Sequence, residues 1–423
     1  MTRARAFLLV AAAAAIPRLA ILLHERGAIL ANNTEKSDSF ATTFVHTGTF
    51  GFVPGLPSAD TQPLYGWFLI PLYWIFGRNW EAVGFAQIAV AVCTALLVYE
   101  IGRRFVSPRA GLVGALAATL NPYLVWHDVH VNREILDQLL AAALVLLTLV
   151  VAKRPTLPRA AALGVVLGLA LLGNTRLFAL PVVVAAFLVW QLGLVRRAGE
   201  IAVVVFVCAG IAVLPWLVRN EGDVGCWALT TDARALWKAN NPDTYGVLAR
   251  GGWIDDVSIR LPRGRPLTAE EAQFKWEHEH QKVDVHECAQ VGYYEHRVFA
   301  FWVDHPGEKG KLMAQAAGML WNPRVTETTG RSGAGTSLDL GRRWVAPIYT
   351  GILFVLALIG LFVVPRALAV LALLLLGYDT VTALAFAGAT RYRVPWDFLI
   401  ALLAAAAIER AWARVRARRP AYA

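Results

Sequence analysis

The sequence predicts an all-α polytopic membrane protein, and three observations predict it. Of its 423 residues, 57% are hydrophobic and 17% charged, whereas soluble domains carry about 25% charged residues. Apolar stretches approaching the ~20 residues that a spanning helix needs recur along the whole chain. The arginines and lysines between those stretches alternate in a way that assigns sides. Such a composition excludes a cytosolic enzyme, a secreted disulfide scaffold and an intrinsically disordered chain. A net charge of +10 would suggest nucleic-acid binding in a soluble protein; here the loops of one membrane face account for it.

The apolar runs are 6–23, 63–77, 81–101, 110–126, 133–152, 159–173, 176–195, 199–218, 343–364, 367–389 and 394–411. If every run crossed from a cytoplasmic Arg3 and Arg5, then Arg103, Arg104, Arg109, Lys153, Arg154, Arg159, Arg196 and Arg197 would all lie outside. If 63–77 does not cross, all of these turn inward together with Arg366, Arg414, Arg416, Arg418 and Arg419. That run carries Pro63, Pro71 and the rings of Tyr65, Trp67, Phe68 and Trp74, as an interfacial helix does. The charges therefore predict about ten spanning helices, both termini cytoplasmic, and juxtamembrane helices in the first outer loop. Residues 1–16 also fit a signal peptide with a small-residue cleavage site. Because Arg18 and Leu19–Leu23 continue the run, a retained first helix is the expectation.

Three regions follow: an N-terminal transmembrane catalytic module, 1–218, with its first outer loop at 24–80; a mostly helical extracytoplasmic domain, 219–342; and C-terminal transmembrane helices with a basic tail, 343–423. In the middle region, Thr268 and Glu271 form a capping box that opens one helix closing near His305–Pro306. Gly330–Gly335 reads as a loop. Cys93 and Cys208 lie in apolar runs as small core residues. Cys226 and Cys288 share the polar segment, where a disulfide and two free thiols are equally expected. His278, Glu279, His280, Asp284 and His286 invite a metal reading, but His278 and His280 point to different faces of a helix. The tripeptide Asn32–Thr34 fits a glycosylation sequon, a pattern common by chance.

An ionisable residue inside or at the mouth of a membrane bundle needs a partner or a function. Four places qualify, all at the predicted outer face: Glu35 to Asp38 after the first helix; His127 and Asp128 through Arg133 and Glu134; Asn174 to Arg176; and Arg391 with Arg393, with Asp379 some three turns upstream. Glu134, Asp137 and Gln138 share one face of a helix. Taken singly, each arginine could snorkel to headgroups and each acid could pair with Arg133 or Arg176. Their convergence on one membrane face is what argues for a cavity with an acceptor base and a phosphate clamp.

The order of these pieces resembles the bacterial GT-C glycosyltransferases, the membrane enzymes related to protein O-mannosyltransferases and lipid A aminoarabinose transferases. An acidic residue, a helical turn and a Gly-rich stretch run from Asp38 through Gly48. Pro63, Leu64 and Tyr65 resemble the family's juxtamembrane helix, and Asn132–Leu136 its second acidic position. Arg176, Pro215–Asn220, Leu236–Pro242, Trp321–Pro323 and Arg391–Pro395 complete the series. Two departures stand out. Ser39 occupies the place of a Glu, and Gln62 occupies the place of a basic residue before the juxtamembrane proline.

The resemblance implies transfer of a hexosyl or pentosyl group from a polyprenyl-phosphate-linked donor to a glycan, lipid or protein acceptor at the outer face. In-line attack opposite the departing phosphate predicts inversion at the anomeric carbon, and the Ala- and Arg-rich composition predicts a bacterial inner-membrane location. Asp38 is the expected base, and Glu134, the second catalytic residue, is expected to orient the acceptor or hold an arginine in place. Arg391 and Arg393 are expected on the phosphate with Arg176 behind them, and Gln62, Tyr65 and Glu35 at the substrate. No cofactor is required. A divalent cation is compatible with Asp38, Glu35 and Asp128, since some relatives use one and others do not. The rival readings are a lipid or polysaccharide transporter or ligase of the cell envelope, and a non-catalytic assembly protein acting through 219–342.

Overall fold

The computed structural model describes residues 2–31, 35–259, 267–325 and 344–417. The sequon at Asn32–Thr34, the Gly330–Gly335 loop, and Arg418 and Arg419 lie outside these. The described residues are almost wholly helical, with one isolated bridge between Val53 and Leu56.

The N-terminal half comprises α1 (Arg3–Glu25), α2 (Lys36–Thr47), α3 (Pro63–Phe76), α4 (Trp80–Phe105), α5 (Pro108–Thr119), α6 (Pro122–His127), α7 (Glu134–Lys153), α8 (Leu157–Gly173), α9 (Leu180–Leu192) and α10 (Arg196–Asp223). A polar segment follows with α11 (Ala233–Ala239), α12 (Thr244–Ala249), α13 (Ala269–Glu279), α14 (Glu287–Asp304) and α15 (Pro306–Leu320). The bundle closes with α16 (Ala346–Gly360), α17 (Arg366–Ala385), the short α18 (Thr390–Arg393) and α19 (Asp397–Ala417).

Every expected spanning run is helical here, though fewer are long. Six described helical stretches meet the length and apolarity of a membrane span, those of α1, α4, α7, α9, α10 and α17. Leu157–Gly173 and Ala346–Gly360 are apolar but shorter. The 63–77 run forms the separate 14-residue α3, which at about 1.5 Å per residue is too short for a hydrocarbon core of ~30 Å. The helix expected from Thr268 to His305 is two helices. The capping box forms at Thr268 and Glu271, but His280 adopts a left-handed φ of 53°. Residues 280–286 offer no apolar stripe at helical spacing to hold the chain on a core.

Small residues set the closest helix contacts. A Cβ on Gly102 of α4 would lie 2.4 Å from Cα of Gly111 in α5, and one on Gly164 of α8 would lie 2.5 Å from the Val205 carbonyl oxygen in α10. Backbones approach this closely only without side chains between them. Around these contacts Val98, Leu144, Leu163, Val205, Leu399 and Leu402 form a continuous core. Arg18 of α1 is fully buried. Its Nη2 and Nε donate to Asp128 at 2.7 and 2.9 Å, and Gln138 donates to the second Asp128 oxygen at 2.9 Å. A buried charge satisfied on all sides serves to hold α1, the α6–α7 corner and α7 together.

The polar segment has its own core of Trp237, Tyr294, Val298, Phe301 and Leu312. A disulfide joins Cys226, just after α10, to Cys288 in the first turn of α14. Next to it, Glu287 accepts hydrogen bonds from the Ala59 amide at 2.9 Å and the Thr231 hydroxyl at 2.6 Å, while the Thr231 amide donates to the Ala59 carbonyl at 2.9 Å. The polar segment is thereby fastened to the loop before α3. At its other end Lys309 of α15 donates to the Leu384 and Ala385 carbonyls at the end of α17.

Candidate active site

A cavity of about 490 Å³ opens where the starts of α2 and α7, the turn between α8 and α9, the end of α17, and α18 meet the polar segment. It falls within the ~300–1,000 Å³ usual for small-molecule sites. Its charged lining divides in two. Toward the bundle are Arg133, Arg176 and Arg391; toward the polar segment are Glu35, Lys36, Asp60, Asp232, Arg234, Lys238, Asp255, Glu270 and Glu295.

Each arginine is held by its element. Arg133 caps α7 and donates to the Gln62 side-chain oxygen, while Gln62 donates to Thr175 at 3.1 Å. Asn174 turns the chain out of α8 and accepts from Arg176 Nε at 3.3 Å. The Arg176 guanidinium lies 3.5 Å from the centre of the Tyr392 ring, and Arg391 lies 5.0 Å from the same ring and from Trp253. Tyr392 is thus a spacer between two cations, each gaining from its π-face. The buried Nη1 of Arg176 has no hydrogen-bond partner among the described residues, a cost that burial usually avoids.

Behind the arginines stand the acids of α7. Glu134 Oε2 lies 3.7 Å from His127 Nε2, and Asp137 accepts from Asn174 at 3.0 Å. Both are buried, and they belong to the floor rather than to the lining of the cavity. Glu35 is the N-cap of α2 and reaches the lining. Burial pushes its carboxyl above the ordinary glutamate value, Arg133 and Arg391 pull it back, and Glu134 adds to the rise. A carboxylate raised toward neutrality is a better proton acceptor than an ordinary one.

Of the residues singled out in the sequence, Glu35, Gln62, Arg176 and Arg391 line this cavity, and Asp38, Arg393 and Tyr65 lie outside its lining. Asp38 does not line the cavity. Tyr73 donates to one of its oxygens at 2.5 Å and Arg78 Nη2 to the other at 2.7 Å, because the Gly77 turn after α3 swings Arg78 back onto α2. Arg393 is fully buried. Its guanidinium is committed to Asp397 at 2.9 Å and to the Leu320 and Asn322 carbonyls, so it fastens the end of α15 to the bundle. Tyr65, in the first turn of α3, is buried, donating to Gln87 at 2.5 Å. The acids suggested for a cation do not converge: Asp38 is held by Arg78, and Asp128 by Arg18. As they stand, the described residues contain no metal-holding group of three His, Cys, Asp or Glu.

Sequence reasoning put Lys36 in the candidate stretch after the first helix without giving it a role, and it missed Asp60, Asp232, Arg234 and Glu270. Their one signal was an excess of charge on both sides of the hydrophobic segments, which carries no pairing information.

Residues 60–218 match the family of dolichyl-phosphate-mannose-protein mannosyltransferases. No curated protein matches the chain by sequence. Among solved structures, the fold is similar to the oligosaccharyltransferase of Archaeoglobus fulgidus in the apo form, with a TM-score of 0.56 at 14% identity over 97% of this chain and 51% of that one. It is similar to the archaeal oligosaccharyltransferase AglB of the same organism in complex with an inhibitory peptide and a dolichol-phosphate, with a TM-score of 0.54 at 12% identity, covering 97% and 51%. ArnT from Cupriavidus metallidurans bound to undecaprenyl phosphate gives a TM-score of 0.46 at 17% identity, covering 97% and 79%. The chain spans about half the length of the oligosaccharyltransferases it matches.

Proposed function

We propose, from a chain whose fold is that of the GT-C membrane glycosyltransferases, that it transfers a sugar from a polyprenyl-phosphate-linked donor to an acceptor at the outer face of a bacterial inner membrane. The observation that carries this reading is one cavity holding three guanidinium groups on its bundle side and a burial-raised carboxylate, Glu35, at its edge.

In the transfer, an acceptor hydroxyl or amine attacks the anomeric carbon as the bond from that carbon to the phosphate oxygen breaks. The electron pair leaves with the phosphate, and the acceptor proton goes to a base. Arg176 and Arg391, spaced by Tyr392, face the developing phosphate charge, with Arg133 as a third cation; guanidinium engages two oxygens at once. Glu35 is the base that the geometry favours over Asp38, whose oxygens are already taken. Glu134 stays behind as the acid that holds Arg133 and Arg391 in place. Attack opposite the departing phosphate inverts the anomeric centre. The exposed Phe178 at the cavity edge offers a prenyl chain a route in from the lipid. The basic cluster of Arg103, Arg104 and Arg3 around Glu100 sits at the far end of α1 and α4, consistent with cytoplasmic termini.

The test is transfer from radiolabelled undecaprenyl-phosphate sugars by purified protein in lipid. Wild type is expected to form product, and Glu35→Gln to lose it by about 10²–10⁴-fold, the usual worth of a general base. Asp38→Asn is expected to keep most activity. The reverse order of the two variants would return the base to Asp38, and absence of transfer from every donor would defeat the reading.

A further inference from the structure

Next to Glu35, one ammonium gathers three carboxylates from three parts of the chain. Lys36 Nζ lies 2.9 Å from Asp60, 2.8 Å from Asp232 and 2.9 Å from Glu270. Asp60 belongs to the loop before α3, Asp232 caps α11 and Glu270 stands in the first turn of α13. Glu270 also takes Arg234. A lysine has three donors; here two of them hydrogen-bond Asp60 and Asp232, and Glu270 completes the set as an ion pair. Burial alone would lower Lys36, but Asp232, Asp60 and Glu270 together hold it well above the ordinary lysine value.

Three carboxylate oxygens around one cation is the donor set of a hard metal ion, with the cation here built into the chain. We propose that Lys36 fills the place of a divalent ion on this wall. It ties the first loop to the polar segment and so positions Glu35, its chain neighbour. The positioning of Glu35 matters for transfer only if the proposed function holds, whereas the cation role stands without it. The sequence-suggested cation residues point the same way, since Asp38 and Asp128 are each consumed by an arginine.

The distances choose the probe. Calcium binds oxygen at about 2.3–2.6 Å and tolerates irregular geometry, whereas magnesium demands about 2.1 Å and an octahedron. Oxygens now 2.8–2.9 Å from a nitrogen need only a small inward shift to hold calcium. The experiment is thermal unfolding of the full chain in lipid nanodiscs, without substrate, in EDTA and in millimolar calcium chloride. Wild type is expected to unfold at the same temperature in both. Lys36→Ala is expected to lose several degrees in EDTA and to regain most of them in calcium, because an ion that binds only the folded state stabilises it. Lys36→Arg should stay near wild type without a calcium response, and Lys36→Ala with Asp232→Asn should be lower and not respond. The proposal is overturned if folded Lys36→Ala ignores calcium, if wild type gains as much as the variant, or if Lys36→Ala folds in neither medium. Failure of sugar transfer in wild type would sink the function and leave the calcium response intact, so the two readings fail separately.

Discussion

Two neighbouring acids on α2 illustrate how far a single side chain's partners decide its role. Glu35 and Asp38 are three residues apart, yet one lines the cavity and the other is locked by Tyr73 and Arg78. The pH dependence of transfer should follow Glu35. A base works deprotonated, and its carboxyl lies above the ordinary glutamate value of 4.5, so activity should fall as pH drops through that raised value. The acid limb of kcat/KM, which reports the free protein, is therefore expected above 4.5, and Glu35→Gln should abolish it; a limb at the ordinary value would remove Glu35 from the reaction. The sequence made Glu35, Arg176, Arg391 and Glu134 visible because ionisable groups are rare near apolar runs. It could not separate Glu35 from Asp38, since the arginine that captures Asp38 lies forty positions away at Arg78.

At the scale of the element, helix contacts depend on glycine. Gly102→Ala would bring a methyl group to 2.4 Å from the Gly111 backbone, so α4 and α5 must separate. The expected cost is about 1–3 kcal/mol, the usual price of overpacking, read as a lower unfolding midpoint with the far-ultraviolet helix signal unchanged. An unchanged midpoint would mean that the two helices part freely. The helices themselves were legible from apolar runs, and α3 was separable from the spanning set by charge alone. The break between α13 and α14 was not legible, because a capping box marks where a helix starts and says nothing about where its core runs out.

Two of the fastenings on the polar segment can be tested at the scale of the whole molecule. Replacing Cys226 and Cys288 by serine is expected to destabilise the polar segment by about 2–4 kcal/mol, seen as faster amide exchange in α14 with the bundle unaffected; equal exchange would show the disulfide to be incidental. The second fastening is Lys309, whose burial lowers it from 10.5 to about 8. Between those values the folded chain binds fewer protons than the unfolded one, so stability should rise with pH across that window. Lys309→Met should flatten this rise, and a wild-type profile falling over the same interval would contradict it.

The fastening of the loop before α3 to Glu287 and Thr231 also sets an order of events during synthesis. The cavity draws Glu35 and Asp60 from the first portion made, Asp232 and Glu270 from the middle, and Arg391 from near the end. Until the ribosome has passed α18, the early residues have no opposite wall and the cavity lacks Arg391. A chain cut before α18 would insert its first helices and still lack the Arg391 wall of the cavity.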